Sequence, residues 1–311
     1  MKAKVSGTKK KINGTTFLLM ITILLFVVMY AAGMIVFNDK GFAKPQMFLN
    51  LFISNAGLLV IAMGETIVMI TAGIDISVGS VTALVCMVAA NQMENHGASA
   101  YTALLMALVI GLLFGLVQGF LVSYLEIQPF IVSLAGMFFG RGMTSIISTD
   151  MISIKNKTFL AWANYKIYLP IGSYSRRGKF IPAYIYPTVI IAILIFIVVL
   201  DGLLAGCGGF LFCLNSCSGF VEQAKGLEMD AISASVIGGT LLSGGVGTPF
   251  GTVFGVLIKG TISSLITTQG TLSSWWVRIA LSALLCFFIV LRALSCMTSV
   301  TCRCLFVFLL K

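Results

Sequence analysis

The chain has 311 residues, of which 59% are hydrophobic and only 10% are charged, and its mean hydropathy is +1.05. Soluble domains carry roughly 25% charged residues, so this composition excludes an ordinary soluble globule. The apolar runs are continuous rather than alternating, which excludes a transmembrane β-barrel. The composition therefore predicts an all-α polytopic membrane protein, a bundle of transmembrane helices.

The net charge of +10 lies mainly at the flanks of apolar runs. Five lysines fall within the first eleven residues, and six basic residues fall between Lys155 and Lys179. Basic residues at span ends set membrane orientation, so we expect residues 1–15 in the cytoplasm and no nucleic-acid partner. Five crossings then place the 151–180 loop outside, against its own positive charge. The run Thr16–Phe37 is too long for a signal peptide core and predicts an uncleaved first span.

Uncharged runs of about 20 residues predict spans, because that length crosses ~30 Å of hydrocarbon. With the glycine-rich segments between them, the runs predict about eight to nine spans within a permease-like domain at 1–294, followed by an atypical tail at 295–311. Val78–Ala90 is short and is expected to cross only half of the membrane. The predicted spans are Thr16–Phe37, Phe48–Thr71, Val78–Ala90, Tyr101–Tyr124, Pro129–Ile147, Tyr184–Leu200, Leu203–Phe220, Val253–Ile266 and Trp276–Leu291.

Two spans carry residues that are unusual in hydrocarbon. Gly111, Gly115 and Gly119 recur every fourth residue, and we favour close helix packing as their role. Arg141 either reaches the membrane interface or pairs with an acid, and we favour the interface.

Two apolar segments are interrupted by glycine, at Gly64–Ser80 and Met229–Gly251. Glycine disfavours a helix interior by about 1 kcal/mol relative to alanine, and proline by about 3 kcal/mol. Such interruptions are tolerated where the freed backbone groups are buried in protein or line a watery cavity. Both segments therefore predict the broken helices of a transporter.

No enzyme or cofactor motif is present. The sequence contains neither the phosphate-binding loop, H-E-x-x-H nor G-x-S-x-G, and His96 is its only histidine. We interpret the cysteines in apolar runs as small hydrophobic residues. These residues are Cys86, Cys207, Cys213, Cys217 and Cys286. We therefore expect a protein without catalytic residues, metal or cofactor.

Three motifs in order resemble the permeases of simple-sugar ABC importers of the ribose, xylose and galactose type. They are G-I-D-I-S-V-G-S at 73–80, Q-P-F-I-V-S-L-A-G-M at 128–137 with Arg141-Gly142, and E-M-D-A-I at 228–232 with the glycine-rich run at 237–248. The resemblance covers roughly 16–291. The run G-T-L-S-S-W-W at 270–276 is most similar to the galactofuranose branch.

The resemblance implies a multi-pass subunit of a bacterial inner membrane, with a sugar as substrate and lipids around it. It implies three protein partners: a cytoplasmic ATPase, a second permease copy or paralogue, and a periplasmic sugar-binding protein. ATP hydrolysis would then belong to the separate ATPase subunit.

Three features depart from the family. Glu65 stands where the family has an apolar residue. Only Asp201 and Gly202 separate two predicted spans, where the family has some forty residues that include the segment docking on the ATPase. The tail after Arg292 matches nothing in the family, as an out-of-frame end would.

The resemblance and the interrupted segments together suggest pathway or gating residues. Asp75 and Asp230 precede apolar helical runs, so we expect their carboxylates to accept hydrogen bonds from helix-start N–H groups. Direct contact with the sugar is the alternative. For Trp275 and Trp276 we favour an interfacial aromatic belt over a sugar-stacking surface. The full candidate set is Glu65, Asp75, Ser77, Asp230, Gly238, Gly239, Ser243, Gly244 and Gly245.

The sequence thus favours a permease subunit that forms a monosaccharide pathway. A degenerate permease, which folds and assembles without transporting, is the second interpretation. A proton-coupled secondary carrier using Glu65 and Asp75 is the third, and it requires inverted repeats.

Overall fold

The computed structural model describes residues 14–174, 180–197, 201–271, 273 and 275–297. Within these residues the chain forms eleven α-helices, one 3-10 turn at Asn38–Lys40 and two small antiparallel sheets. The helices are α1 (Gly14–Val36), α2 (Pro45–Ile70), α3 (Val78–Asn95), α4 (Ala100–Ser123), α5 (Pro129–Ile147), α6 (Lys157–Asn164), α7 (Pro187–Ile197), α8 (Asp201–Ser216), α9 (Leu227–Ile237), α10 (Pro249–Gln269) and α11 (Trp275–Met297). The strands are β1 (Ile152–Ser153), β2 (Ile167–Tyr174), β3 (Phe180–Ile185) and β4 (Ser218–Gly219). The basic segment at 1–13 and the tail from 298 lie outside the described residues.

Five helices in the described ranges are long and apolar enough to cross a membrane, namely α1, α2, α4, α5 and α10. A shorter apolar stretch, Trp275–Leu291, begins α11. The predicted all-α membrane bundle is confirmed. The predicted number of spans is not, since α7 and α9 have 11 residues each and α8 has 16.

Helices α2–α5 and α8–α11 form two halves with the same packing pattern. In the first half α3 contacts α4 and α5, and in the second α9 contacts α10 and α11. Each half also packs on the leading helix of the other: α3 and α4 on α8, α9 and α10 on α2. Helices α2 and α8 are antiparallel, because Asn215 reaches Ser54 while Gly208 lies against Ile61. The halves are therefore inverted relative to each other, as in many transporters.

The core surrounds α2, whose residues from Ala56 to Thr66 are all buried. Glycines let α8 approach its neighbours closely, since a Cβ on Gly206 would lie 2.6 Å from the Ala107 carbonyl oxygen and 3.2 Å from the Gly111 Cα. The close-packing interpretation of the glycine stripe therefore holds at Gly111. It does not hold at Gly119, where a Cβ would meet nothing within 4 Å.

The described part of the polar stretch between α5 and α7 forms regular secondary structure. β1 pairs with β4, and β2 pairs with β3 in a hairpin. Asn156 caps α6 by accepting hydrogen bonds from the backbone N–H groups of Thr158 and Phe159. The hairpin is fixed to α2, because the Gln46 amide both donates to and accepts from the backbone of Tyr184.

Two local predictions are corrected. Asp201 and Gly202 begin α8 rather than forming a turn, and α7 is described as far as Ile197. α3 continues to Asn95, five residues past the predicted end at Ala90, because polar residues in its last turn still extend the helix.

Arg141 contacts backbone oxygens. Its Nη1 donates to the carbonyl oxygens of Val221 and Gln223, at 3.0 and 2.9 Å. The guanidinium therefore satisfies backbone oxygens of the turn before α9 and has no recorded acid partner among the described residues, and its location at the membrane interface stays a prediction.

Candidate functional site

The two interrupted segments meet at one end of the bundle. One is the loop 71–77 between α2 and α3, and the other is the loop 238–248 between α9 and α10. The N–H of Gly245 donates to the carbonyl of Ile70 at 2.8 Å. Gly244 lies so close to Ala72 that a Cβ would fall 2.7 Å from the alanine Cβ, and its φ of +80° suits glycine. Together the two breaks form one continuous irregular region.

Asp75 organises the first loop. Its Oδ1 accepts hydrogen bonds from the Ser77 N–H at 2.7 Å and from the Ser77 hydroxyl at 2.6 Å. The N–H of Asp75 donates to Glu65 Oε1 at 3.3 Å, which ties the loop back to the last turns of α2. Glu65 itself is only 1% exposed. This set of contacts holds Asp75 and Ser77 at the start of α3.

A cavity of about 310 Å³ opens beside this loop, between α2, α4 and α5. Its polar lining includes Thr71, Asp75, Ser77, Gln118 and Ser133. The Gln118 amide donates to the Ser77 hydroxyl at 2.9 Å, so a hydrogen-bonded chain runs from α4 through Ser77 to Asp75. The volume lies at the lower end of the range of ~300–1,000 Å³ typical of small-molecule sites. The cavity therefore has the size and polarity for a small hydroxylated solute.

The second loop is anchored by buried hydroxyls. Thr66 of α2 contacts Ser235 of α9 at 3.0 Å and Thr252 of α10 at 2.5 Å. Thr248 caps α10 by accepting from the Gly251 N–H. These bonds join three helices on both sides of the loop 238–248, so the irregular backbone is held between fixed helix ends.

Asp230 does not cap a helix start. Its Oδ2 pairs with the Nζ of Lys259 on α10 at 3.1 Å. The neighbouring Glu228 accepts a hydrogen bond from the Gly226 N–H, at the position immediately before α9. The expected carboxylate at this helix start is thus supplied by Glu228, because Asp230, two residues further along the same first turn, faces α10.

The structure brings together only part of the predicted set. Glu65, Asp75 and Ser77 form one group, and Gly244 and Gly245 adjoin it. Gly238 packs on Gly251, where a Cβ would lie 2.5 Å from backbone atoms, and Gly239 adopts a φ of +104°. Ser243 is exposed.

Sequence reasoning missed Gln118 and Lys259. Gln118 was visible as an amide inside an apolar span, between two glycines of the stripe. Lys259 was visible as the residue that ends the uncharged run after Asp230. Their partners are 41 and 29 positions away in the chain, so the contacts depend on tertiary structure.

The described residues contain no group of three or more His, Cys, Asp or Glu positioned to hold a metal ion. Trp275 and Trp276 are 67% and 49% exposed, and the Arg278 guanidinium lies 5.4 Å from the Trp275 ring centroid. One face of the Trp275 ring is therefore covered by a cation–π contact.

Comparison with known proteins gives consistent matches. The family model described as the permease component of branched-chain amino acid transport systems matches residues 47–200 and 190–290. The inner membrane ABC transporter permease protein YjfF of Escherichia coli (strain K12) is 37% identical over 303 residues, covering 88% of this chain and 91% of the relative. The fructose import permease protein FruF of Bifidobacterium longum (strain NCC 2705) is 35% identical, covering 75% and 73%. The autoinducer 2 import system permease protein LsrC of Yersinia pestis is 29% identical, covering 76% and 74%. No solved structure matches the chain.

Proposed function

Because the chain belongs to the permease-component family of ABC transporters, whose members are transport subunits rather than enzymes, we propose that it is the membrane-spanning subunit of an ATP-driven sugar importer. The observation that carries the proposal is the junction of the two interrupted segments beside a cavity of about 310 Å³ whose lining includes the side chains of Asp75, Ser77 and Gln118. Two relatives are fructose import permeases by name, which supports a sugar as the solute. We propose a monosaccharide of the galactofuranose type, on the motif G-T-L-S-S-W-W at 270–276.

The assembly and orientation follow from this role. The partners are a cytoplasmic ATPase, a second permease copy or paralogue and a periplasmic sugar-binding protein, in a bacterial inner membrane. The basic N-terminus supports a cytoplasmic start. Crossings by each of α1 to α5, with α3 counted as a span, then put the β2–β3 hairpin outside and the junction of α7 with α8 on the cytoplasmic side.

Within the candidate site we propose gating and structural roles for Asp75, Ser77 and the glycines of the second loop. Asp75 already accepts two hydrogen bonds from Ser77. Rotation of either loop would change the contact of Gly245 with Ile70, which connects the two halves. Inverted halves that meet at irregular backbone are a common basis of alternating access.

A non-transporting permease is the second candidate, and the length of the chain supports it. The alignment with YjfF spans 303 positions and includes 88% of the 311 residues, about 274, so about 29 positions have no residue in this chain. For LsrC, 76% of the chain is about 236 residues of 265 positions, which also leaves about 29. The two family matches overlap at 190–200, which supports placing the missing segment at the α7–α8 junction.

Uptake of radiolabelled sugar tests the function. Cells would carry this chain with the ATPase and binding protein of its importer, and galactofuranose, galactose and fructose would be compared. Uptake that disappears on knockout of the ATPase supports the importer. Uptake that an uncoupler abolishes but the knockout leaves intact would instead support a proton-coupled carrier. Assembly without uptake would support the non-transporting permease.

A further inference from the structure

Helices α9 and α10 form an antiparallel pair with a four-residue repeat of contacts. Gly251 lies against Gly238, and Gly255 lies against Ala234, where a Cβ would overlap the carbonyl oxygen. One turn further along α10, Lys259 meets Asp230. The two glycines bring the helix axes close enough for the ion pair to form.

This ion pair lies at the centre of a membrane span. Lys259 is the eleventh of the 21 residues of α10, so about 15 Å of helix separates it from either end. The lysine side chain is far shorter than that distance and cannot carry its ammonium group to the membrane surface. The charge must therefore be accommodated at mid-depth.

The pair is not fully enclosed by the chain. In the run from Gly255 to Ile262, Lys259 is the only residue that is not buried. The exposed fractions of the Lys259 and Asp230 side chains are 19% and 31%. Within the described residues the ammonium group has one recorded partner, the Asp230 carboxylate, with which it forms an ion pair at 3.1 Å, so N–H donors of the lysine remain for another group. Hydrocarbon against these partly exposed polar atoms is unfavourable even though the charges are paired, because polar groups left without a hydrogen-bond partner in an apolar medium lose the hydration they have in water.

We propose that the Asp230–Lys259 pair faces the water-filled translocation pathway and contacts the hydroxyl groups of the passing solute. The carboxylate accepts hydrogen bonds from hydroxyls, and the free ammonium donors bind hydroxyl oxygens. The pair is neutral overall, so it suits an uncharged polyhydroxylated solute and does not retain an ion. This inference rests on the proposed sugar-permease function.

Thiol labelling tests the inference without requiring transport. The eight native cysteines are replaced by alanine, and cysteine is introduced in the double variant Asp230→Asn/Lys259→Cys, which leaves neither charge unpaired. The controls are Leu112→Cys, near the centre of α4 and 46% exposed, and Thr261→Cys, which is fully buried. Membranes are treated with 2-sulfonatoethyl methanethiosulfonate, a charged reagent that reacts from water. Elution as a monodisperse peak in detergent verifies the fold of each variant.

We expect labelling at position 259 about tenfold faster than at either control, a difference of about 1.4 kcal/mol in barrier. Galactose or fructose at high millimolar concentration should slow it, and the same osmolality of sodium chloride should not. Labelling at 259 no faster than at 112 would overturn the aqueous location. Fast labelling that neither sugar slows would overturn the passage of the solute beside this pair. Because labelling needs no ATPase, a failure of uptake and a failure of this inference are separately visible. A second double variant, Asp230→Cys with Lys259→Met, repeats the test from α9 and must give the same result.

Discussion

Asp75 illustrates how one acid is accommodated in an apolar bundle. Its Oδ1 accepts from both the N–H and the hydroxyl of Ser77, and Gln118 donates to the same hydroxyl. The carboxylate thus fixes the backbone where α3 begins and orients a polar side chain of α4. These contacts support a structural role at the gate, with the cavity adjoining the same side chains.

We predict that Asp75→Ala lowers the free energy of unfolding by about 2 kcal/mol or more, because two charge-assisted hydrogen bonds are lost. Asp75→Asn retains an acceptor oxygen and should lose about 1 kcal/mol or less. Unfolding in mixed micelles, followed by circular dichroism, measures both. If Asp75→Asn kept its stability and assembly but changed which sugar is taken up, direct sugar contact would replace the structural role.

We predict that the hydrogen bonds of Arg141 contribute to the stability of the protein. Its Nη1 bridges the carbonyls of Val221 and Gln223. Arg141→Met removes both bonds and leaves two carbonyl oxygens without this donor, so we expect a loss of about 2–3 kcal/mol. Arg141→Lys should recover part of that loss. Equal stability of the Met and Lys variants would show that the carbonyl contacts contribute little.

Among the elements, the α9–α10 pair depends on glycine for its close approach. A Cβ on Gly255 would overlap the Ala234 carbonyl oxygen, so Gly255→Ala must force the two helices apart. We expect a loss of about 1–3 kcal/mol in the free energy of unfolding from overpacking, together with a weaker Asp230–Lys259 pair.

The matched control is Gly119→Ala, in a helix interior with open space around the Cβ. There alanine should be neutral or stabilising by up to about 1 kcal/mol. Both variants are compared by unfolding in the same micelles, and a Gly255→Ala protein as stable as Gly119→Ala would contradict the packing argument.

The long helices could be predicted because the length of an uncharged run decides a membrane span. The predicted span Tyr101–Tyr124 and the observed α4 differ by one residue at each end, and α5 agrees at both ends. The observed α10 begins four residues before the predicted span Val253–Ile266, because the sequence predicts a helix break at Gly251. It lies inside the helix, where tertiary contact with Gly238 compensates for the low helix propensity of glycine.

The candidate site was predictable as a pair of segments but not as a set of contacts. Interrupted apolar runs identified the loops 71–77 and 238–248, since glycine and proline are unfavourable in a helix interior. The pairing of Asp230 with Lys259 depends on how α9 crosses α10, and local pattern does not encode that crossing. The same holds for Gln118, whose partner Ser77 belongs to another helix.

At the scale of the whole molecule, the second half is shorter than the first at its cytoplasmic end in the proposed orientation. α8 passes α4 where Gly206 meets Ala107 and Gly111. Beyond Gly111, α4 continues to Ser123, about 18 Å further. The described part of α8 before Gly206 begins at Asp201 and is about 7.5 Å of helix. The 11 described residues of α7 span about 16 Å, short of the ~30 Å of hydrocarbon. Only positions 198–200 lie between the described ends of the two helices.

We therefore predict that the chain couples poorly, or not at all, to an ATPase. Nucleotide-driven motion must pass through a permease segment that contacts the ATPase outside the membrane, and the α7–α8 junction has too little length to extend there.

The measurement is sugar-stimulated ATP hydrolysis in liposomes, with the ATPase and binding protein co-reconstituted. We expect stimulation well below that of the full-length relative YjfF, and recovery when the relative's segment between its corresponding helices is inserted after residue 200. An insertion of equal length made of glycine and serine is the control, since it restores length without a docking surface. Stimulation by the unaltered chain equal to that of YjfF would refute the prediction. If activity appeared only with a co-expressed paralogous permease, the partner subunit would carry the coupling instead.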